Sequence, residues 1–394
     1  MEILQNIRVL DLGRFISASY GAMLLADSGA EVIKVERAVR GEDGHAVPPY
    51  KDGINLYFPT FNRNKLGITI DFRNEESRAI LTRLIEKSDV LIENFRPGTM
   101  KNMGFSWEQV HEINPRLVMA SISGYGQDGP LAERPAFDPI AQALSGIMSV
   151  TGTKESGPLG VGTTFVDHVA GTTLAYGILL ALIDRERTGQ GQYIDVSLVD
   201  CVVPFLQTYI PNYSANGIVA PLHGNRDLLS CPADTYRTRD GRLVDMHAGT
   251  NALYVRLTAL IDDDRMRDEK FQTVAGRNAN QDEIESIVQE WFLTQDADEA
   301  VEKLARESVI AAAVADIPDL FSSDLAKRRR QLVDIEVPGL GPVTFPGSAV
   351  DILPGQPVDY HRAPTLGEHN DKIYTELLGY SADDVEGLRD RGVI

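Results

Sequence analysis

The sequence predicts an α/β protein with a large domain built on an open parallel sheet and a smaller α+β domain. Three observations carry that reading. Short apolar strands alternate with helical segments through the first half, the texture changes near Gly224, and 394 residues with 43% hydrophobic content can fill two domains. Ile7 to Asp11 reads as a buried strand, Tyr20 to Ala30 as a helix closing at Gly29, and Val32 to Glu36 as a second strand. Such a strand-helix-strand unit implies parallel pairing with the usual handedness. A second unit follows as strand Gly67 to Asp71, helix Glu75 to Lys87 and strand Val90 to Asn94. Helix Ser106 to Glu112 then leads to strand Leu117 to Ser123. Further on come a buried helix from Thr164 to Arg187, strand Tyr193 to Ser197 and helix Leu198 to Ala215. Open sheets of this kind take ligands near the carboxyl ends of their strands.

Beyond Gly224, Thr235 to Thr238 and Arg242 to Met246 read as a hairpin around Arg239-Asp240-Gly241, and polar helices run from Ala252 to Leu304. The expected division is a large domain over 1–224, a small domain over 225–330, and a segment 331–394 that returns to the large domain. The tail, with Pro338-Gly-Leu-Gly-Pro and then Ala363 to Gly379, is too apolar for a loose linker.

The formal charge of −19 argues against nucleic acid or an anionic membrane as partner, since both require a broad basic surface. A phosphate-bearing small ligand would need a local cationic cluster instead. Arg37, Asn62-Arg63-Asn64-Lys65, Asn94-Phe95-Arg96-Pro97-Gly98 and Lys101 supply one in the first half of the chain. Cys201 and Cys231 are too few for a disulfide framework. With no signal-peptide pattern and no charge-free apolar run of bilayer length, a cytoplasmic protein is expected.

One carboxylate stands out. Asp167 opens an otherwise small and aliphatic helix, behind Thr163 and Thr164 as cap residues, so it falls in the first turn where the helix dipole favours an anion. A charge in so apolar a segment needs a partner or a task. Gly124-Tyr125-Gly126-Gln127-Asp128-Gly129 spells a dinucleotide fingerprint, but Pro130 and the polar residues after it predict a wide turn where that fingerprint needs a helix. The histidines show no ligand spacing, neither cysteine has a His partner nearby, and no Gly-x-Ser-x-Gly elbow occurs. No metal site is expected.

Taken in order, these motifs resemble the family III coenzyme A transferases, the group of the formyl-CoA and carnitine CoA-transferases and the alpha-methylacyl-CoA racemases. The matching stretches include Leu25-Ala-Asp-Ser-Gly-Ala-Glu-Val-Ile-Lys-Val-Glu36, Asn62-Arg-Asn-Lys65, Glu93-Asn-Phe-Arg-Pro-Gly98, Ser123-Gly-Tyr-Gly-Gln-Asp-Gly-Pro130, Asp167 with its helix, and Arg362-Ala-Pro-Thr-Leu-Gly-Glu-His369. The resemblance implies a Rossmann-like large domain, a small domain on two linkers, and a homodimer of interlocked chains. It also implies that Asp167 carries acyl group and CoA in turn, through a mixed anhydride and an aspartyl-CoA thioester. By the same resemblance Arg37, Ile70, Asn94, Phe95 and Met103 match positions around the adenine and phosphates of CoA, and Tyr57 and Asp138 match positions lining the reaction site.

The departures are informative. Where racemases of the family carry a histidine base this chain has Ala136-Phe137-Asp138, which favours a transferase. Ile16 stands where formyl-CoA transferases place a glutamine, and Asn102, with Lys101 beside it, stands where an arginine is common. The expected activity is transfer of CoA from an acyl-CoA thioester to a short-chain, C4–C5 carboxylic acid, with CoA as substrate and no permanently bound cofactor. Arg14 or His168 could bind a second carboxylate, although a helix turn points His168 away from Asp167. A 2-methylacyl-CoA epimerase and a non-catalytic CoA-binding protein are the alternatives.

Overall fold

The computed structural model describes residues 2–353 and 355–394. They form two compact units, one of Met1–Ile147, Gly160–Gly217 and Asp324–Ile394, the other of Met148–Leu159 and Ile218–Ser323. The first unit is organised around six strands: β1 Arg8–Asp11, β2 Glu31–Glu36, β3 Lys65–Thr69, β4 Val90–Glu93, β5 Val118–Ser123 and β6 Tyr193–Ser197. Their spatial order is 3-2-1-4-5-6 and every neighbouring pair is parallel. That is the doubly wound order, with its switch point between β1 and β4. Leu10 of β1 pairs with Ile33 on one side and Leu91 on the other, and all three are fully buried. Burial on both faces explains why these strands read as continuous apolar runs.

Helix α1, Ser17–Asp27, begins three residues before the expected Tyr20, because Ser17, Ala18 and Ser19 are buried without being apolar enough to mark a helix. It stops before Ser28, where Ser28, Gly29 and Ala30 donate their amides to the carbonyls of Leu25 and Ala26. The helices that follow before β6 are α2 Tyr57–Asn62, α3 Glu76–Glu86, α4 Thr99–Asn102, α5 Trp107–Ile113, α6 Asp138–Leu144 and α7 Phe165–Thr188. After β6 the expected single helix over 198–215 is broken into α8 Leu198–Val202, a 3-10 turn Val203–Leu206 and α9 Tyr209–Asn216. Pro204 lacks the amide hydrogen a continuous helix needs, and Gln207 takes a left-handed φ of 45°.

Helix α7 is long and apolar enough by length and composition to cross a membrane, yet here it packs on α1 and on β5. The close approach of α1 and α7 is made by two glycines. A Cβ on Gly171 would lie 2.5 Å from the Ser17 carbonyl oxygen and 3.1 Å from the Gly21 nitrogen. Gly171→Ala is therefore expected to cost about 2–3 kcal/mol, seen as a lower urea midpoint; an unchanged midpoint would mean that the helices separate freely.

The C-terminal stretch covers edge strand β3. Asn370 accepts from the Thr69 amide at 2.9 Å, Tyr374 donates to the Thr69 carbonyl at 2.9 Å, and the Asp71 amide donates to Val393 at 2.7 Å. In the second unit, β7 Ala233–Arg237, β8 Leu243–His247 and β9 Ile310–Ala313 form an antiparallel sheet. β9 was not foreseen, being four small or apolar residues with no turn signal. The helical stretch 252–304 consists of four helices separated by 3-10 turns and short loops.

Candidate active site

The turn after β1 lies at the switch point of the sheet, and buried charge holds it there. Asp11 accepts from the Gly13 amide and from Lys65 Nζ, both at 2.8 Å, and Lys34 Nζ lies 3.8 Å from Asp11 and 3.9 Å from Glu42. The side chains of Asp11, Lys34 and Lys65 have no exposed surface. Burial lowers the Lys65 pKa to about 8, although Asp11 beside it opposes the fall. Lys34 is raised, because Asp11, Glu42 and Glu36 together outweigh its burial. Glu42 Oε2 accepts from the Phe15 amide at 2.8 Å, where Phe15 has a φ of 58°. A bulky residue in that region costs about 1–2 kcal/mol, and the network under the turn maintains it.

Across the switch point Asn94, just after β4, grips the same turn. Its amide oxygen accepts from Arg14 N and its nitrogen donates to Arg14 O, both at 2.8 Å. The Arg14 guanidinium lies 5.5 Å from the centre of the Phe95 ring and donates to Asp43 at 3.1 Å. Arg37 binds the other oxygen of Asp43. The Arg14 Nε is buried and, among the described residues, has no partner.

Asp167 is the third residue of α7 and lines a cavity of about 240 Å³ with Arg14, Asn94, Phe95, Arg96 and Arg134. Thr164 occupies the cap position, but its hydroxyl does not cap the helix. Asp138 does so from 28 residues upstream, its Oδ2 accepting from the amides of Val166 at 2.6 Å and Asp167 at 3.1 Å. Gln142 donates to the other oxygen at 2.5 Å. The helix dipole is thus already neutralised by a neighbour. Burial, and secondarily the Asp138 charge, push the Asp167 carboxyl up to about 7. The direction is opposite to the dipole-stabilised anion expected from sequence, because burial and a neighbouring carboxylate both disfavour the charge.

The Asp167 cavity shares Arg14 and Phe95 with a second one of about 120 Å³, which includes Arg37, Thr99 and Met103. That one in turn shares Phe72 and Met103 with a third, of about 520 Å³, lined also by Arg78 and Asn102. An elongated track therefore runs from the carboxylate along the ends of β1 and β4. A larger cavity of about 860 Å³ belongs to the second unit and contains none of these residues.

Residues 4–370 match the model of CoA-transferase family III. The chain belongs to CoA-transferase family III. It is 34% identical over 395 residues to the succinyl-CoA–D-citramalate CoA-transferase of Chloroflexus aurantiacus, covering 99% of this chain and 98% of that protein. It is also 34% identical over 380 residues to the acetyl-CoA:oxalate CoA-transferase of Acetobacter aceti, 96% of either chain. A crystal structure of a CAIB/BAIF family protein from Brucella suis superposes with a TM-score of 0.84 at 32% identity, covering 95% of this chain and 99% of that one. The protein is an enzyme that transfers CoA.

Within this CoA-transferase the expected residues fall into three groups. Asp167, Arg14, Asn94 and Phe95 come together around one cavity, and Arg37, Met103 and Asn102 continue along the track. Tyr57 is half-buried on α2, and its phenol is raised by burial and by the charges of Glu42 and Asp167, which puts it within their field. Lys101 is exposed on α4 and lines none of the three cavities. Ile16, Ile70 and Asp138 lie beneath the surface, at 5%, 0% and 2% exposure. Ile16 is the cap residue of α1 and Ile70 is core, and neither is among the residues lining the three cavities of the track. His168 Nδ1 contacts the Thr164 carbonyl at 2.7 Å and its ring packs on Tyr20, away from the cavity. Sequence reasoning missed Glu42, Lys34 and Asp11. Their signal was present, a lysine inside the apolar run Glu31–Glu36 and an acid ending β1.

Proposed function

We propose that this CoA-transferase moves CoA from a donor thioester to a C4–C5 dicarboxylic acid, with Asp167 as the covalent carrier. The Asp167 carboxylate attacks the donor carbonyl and expels CoA thiolate, leaving a mixed anhydride. The thiolate attacks the aspartyl carbonyl, giving aspartyl-CoA and releasing the donor acid. The acceptor carboxylate then attacks aspartyl-CoA, and the thiolate so freed takes the acceptor's acyl group and restores Asp167. No proton or electron is gained or lost over the cycle. The observation that carries this reading is a desolvated carboxylate facing guanidiniums at one end of a cation-lined track. The two relatives named above are transferases for D-citramalate and for oxalate, both dicarboxylates.

The reading includes CoA along the track, its phosphates towards Arg37 and its adenine near Phe95 and Met103. It also includes a homodimer of interlocked chains, supported by the apolar residues exposed on α6 and α7: Ile140, Leu144, Tyr176, Leu180 and Ile183. Epimerisation is not favoured, because Ala136 and Phe137 face Asp167 where a second base is needed.

The test is intact-protein mass spectrometry after mixing with succinyl-CoA. An adduct one CoA heavier and labile to hydroxylamine is expected; absence of an adduct across a donor panel, with α-proton exchange instead, would overturn the reading. The pH profile supplies a second check. Attack needs the ionised carboxylate, so kcat/KM should fall as pH drops below about 7. Asp138→Asn removes the charge that helps to raise Asp167, and the acidic limb should move to lower pH. A limb that stays in place in this variant would show that another group titrates.

A further inference from the structure

The Asp167 cavity carries more positive charge than the ion pairs around it account for. Its lining holds three guanidiniums, Arg14, Arg96 and Arg134, against one carboxylate, Asp167, in a chain of net charge −19. Arg14 is tied to Asp43 and stacked on Phe95. Arg96 and Arg134 are exposed and have no ion pair or side-chain hydrogen bond among the described residues. Bare cations gathered at one cavity of an acidic protein repel each other and concentrate an anion there.

The two lie on different walls. Arg96 follows Phe95 and precedes Thr99, and both of those line the adjoining cavity with Arg37. It therefore stands on the CoA side. Arg134 comes from the turn that leads back from β5 to α6, just ahead of Asp138, which caps the Asp167 helix. This turn closes tightly over the strand end: a Cβ on Gly124 would lie 2.5 Å from Ala136 Cβ. Arg134 is thus carried by the segment that also positions Asp167, and it lines neither of the two cavities further along the track.

Resting on the covalent route above, we propose that Arg134 binds the distal carboxylate of a dicarboxylic acceptor and sets the preference for diacids over monoacids. Once Asp167 carries CoA as a thioester, its negative charge is gone from the cavity lining, and Arg96 and Arg134 face the incoming dianion without an ion pair. The fork of Arg134 matches a carboxylate in bidentate fashion, which an ammonium does not. A monocarboxylic acid of equal length offers it nothing, so its neighbours lose no contact when Arg134 is removed.

The test loads the enzyme with succinyl-CoA, removes free ligands, and follows loss of the hydroxylamine-labile adduct by mass spectrometry on adding succinate or butyrate. Succinate must unload an enzyme that succinyl-CoA loads, by microscopic reversibility. In Arg134→Gln the rate constant with succinate should fall about 10- to 100-fold, with butyrate within about twofold of wild type, and Arg134→Lys should recover part of the difference. Equal losses with both acids, or no loss with either, would overturn the role of Arg134 while the adduct still upholds the covalent route. A wild type that forms no adduct would overturn both.

Discussion

Asp167→Asn is expected to reduce CoA transfer by about a thousandfold or more and to make the folded protein more stable at neutral pH. The first effect follows from chemistry, since an amide cannot form the anhydride and no CoA adduct should appear. The second follows from linkage. Burial raises the Asp167 pKa from 3.8 to about 7, so the folded state favours the protonated form. The stabilising contribution of that form is complete below the unfolded pKa and is lost as pH rises through the folded one. Asparagine is neutral at every pH and escapes the loss. The stability of the variant should match wild type near pH 4, draw ahead between pH 4 and 7, and hold a constant lead of roughly 4 kcal/mol above that. Urea titrations of both proteins at pH 4.5 and pH 8 would measure it. Parallel curves at the two pH values would sink the idea that the nucleophile is held at a cost to the fold.

That cost was not legible in the sequence, and the reason is instructive. Asp167 stood out as one acid ahead of an apolar helix, and two threonines before it looked like its caps. Local pattern cannot reveal that a carboxylate 29 residues upstream of Asp167 takes both amides instead. The sheet was far easier to read, because strands buried on both faces must be apolar throughout. Motif matching has a different limit at Ile16 and Ile70. Both sit in the right stretch of chain, but a motif position says where the backbone runs and nothing of which way a side chain faces, and here both point into the core. Helix 198–215 was read as continuous because its composition is helical; Pro204 was the visible warning.

The charges beneath the β1 turn should show the largest stability effect. Asp11→Ala is expected to cost about 3–5 kcal/mol. It would take from Lys65 its carboxylate, leaving only the neutral Ser19 carbonyl and Asn62 amide oxygen at 2.8 Å, and from Lys34 one of its two acids, and neither lysine side chain has exposed surface. It would also free the Gly13 amide, and with it the turn that presents Arg14 and Phe15 to the cavity. The loss is therefore expected in two readouts at once, a lower unfolding midpoint and weaker CoA binding by calorimetry. A double variant separates the causes. Adding Lys65→Met removes the orphaned cation, so Asp11→Ala/Lys65→Met should recover part of the stability, since an apolar pair avoids the desolvation that a buried charge must overcome. Binding should stay weak in the double variant, because the Gly13 amide still lacks its acceptor. Recovery of both together would mean that the turn needs no anchor and that the network serves only its own charges; recovery of stability alone would tie the buried carboxylate to the shape of the site.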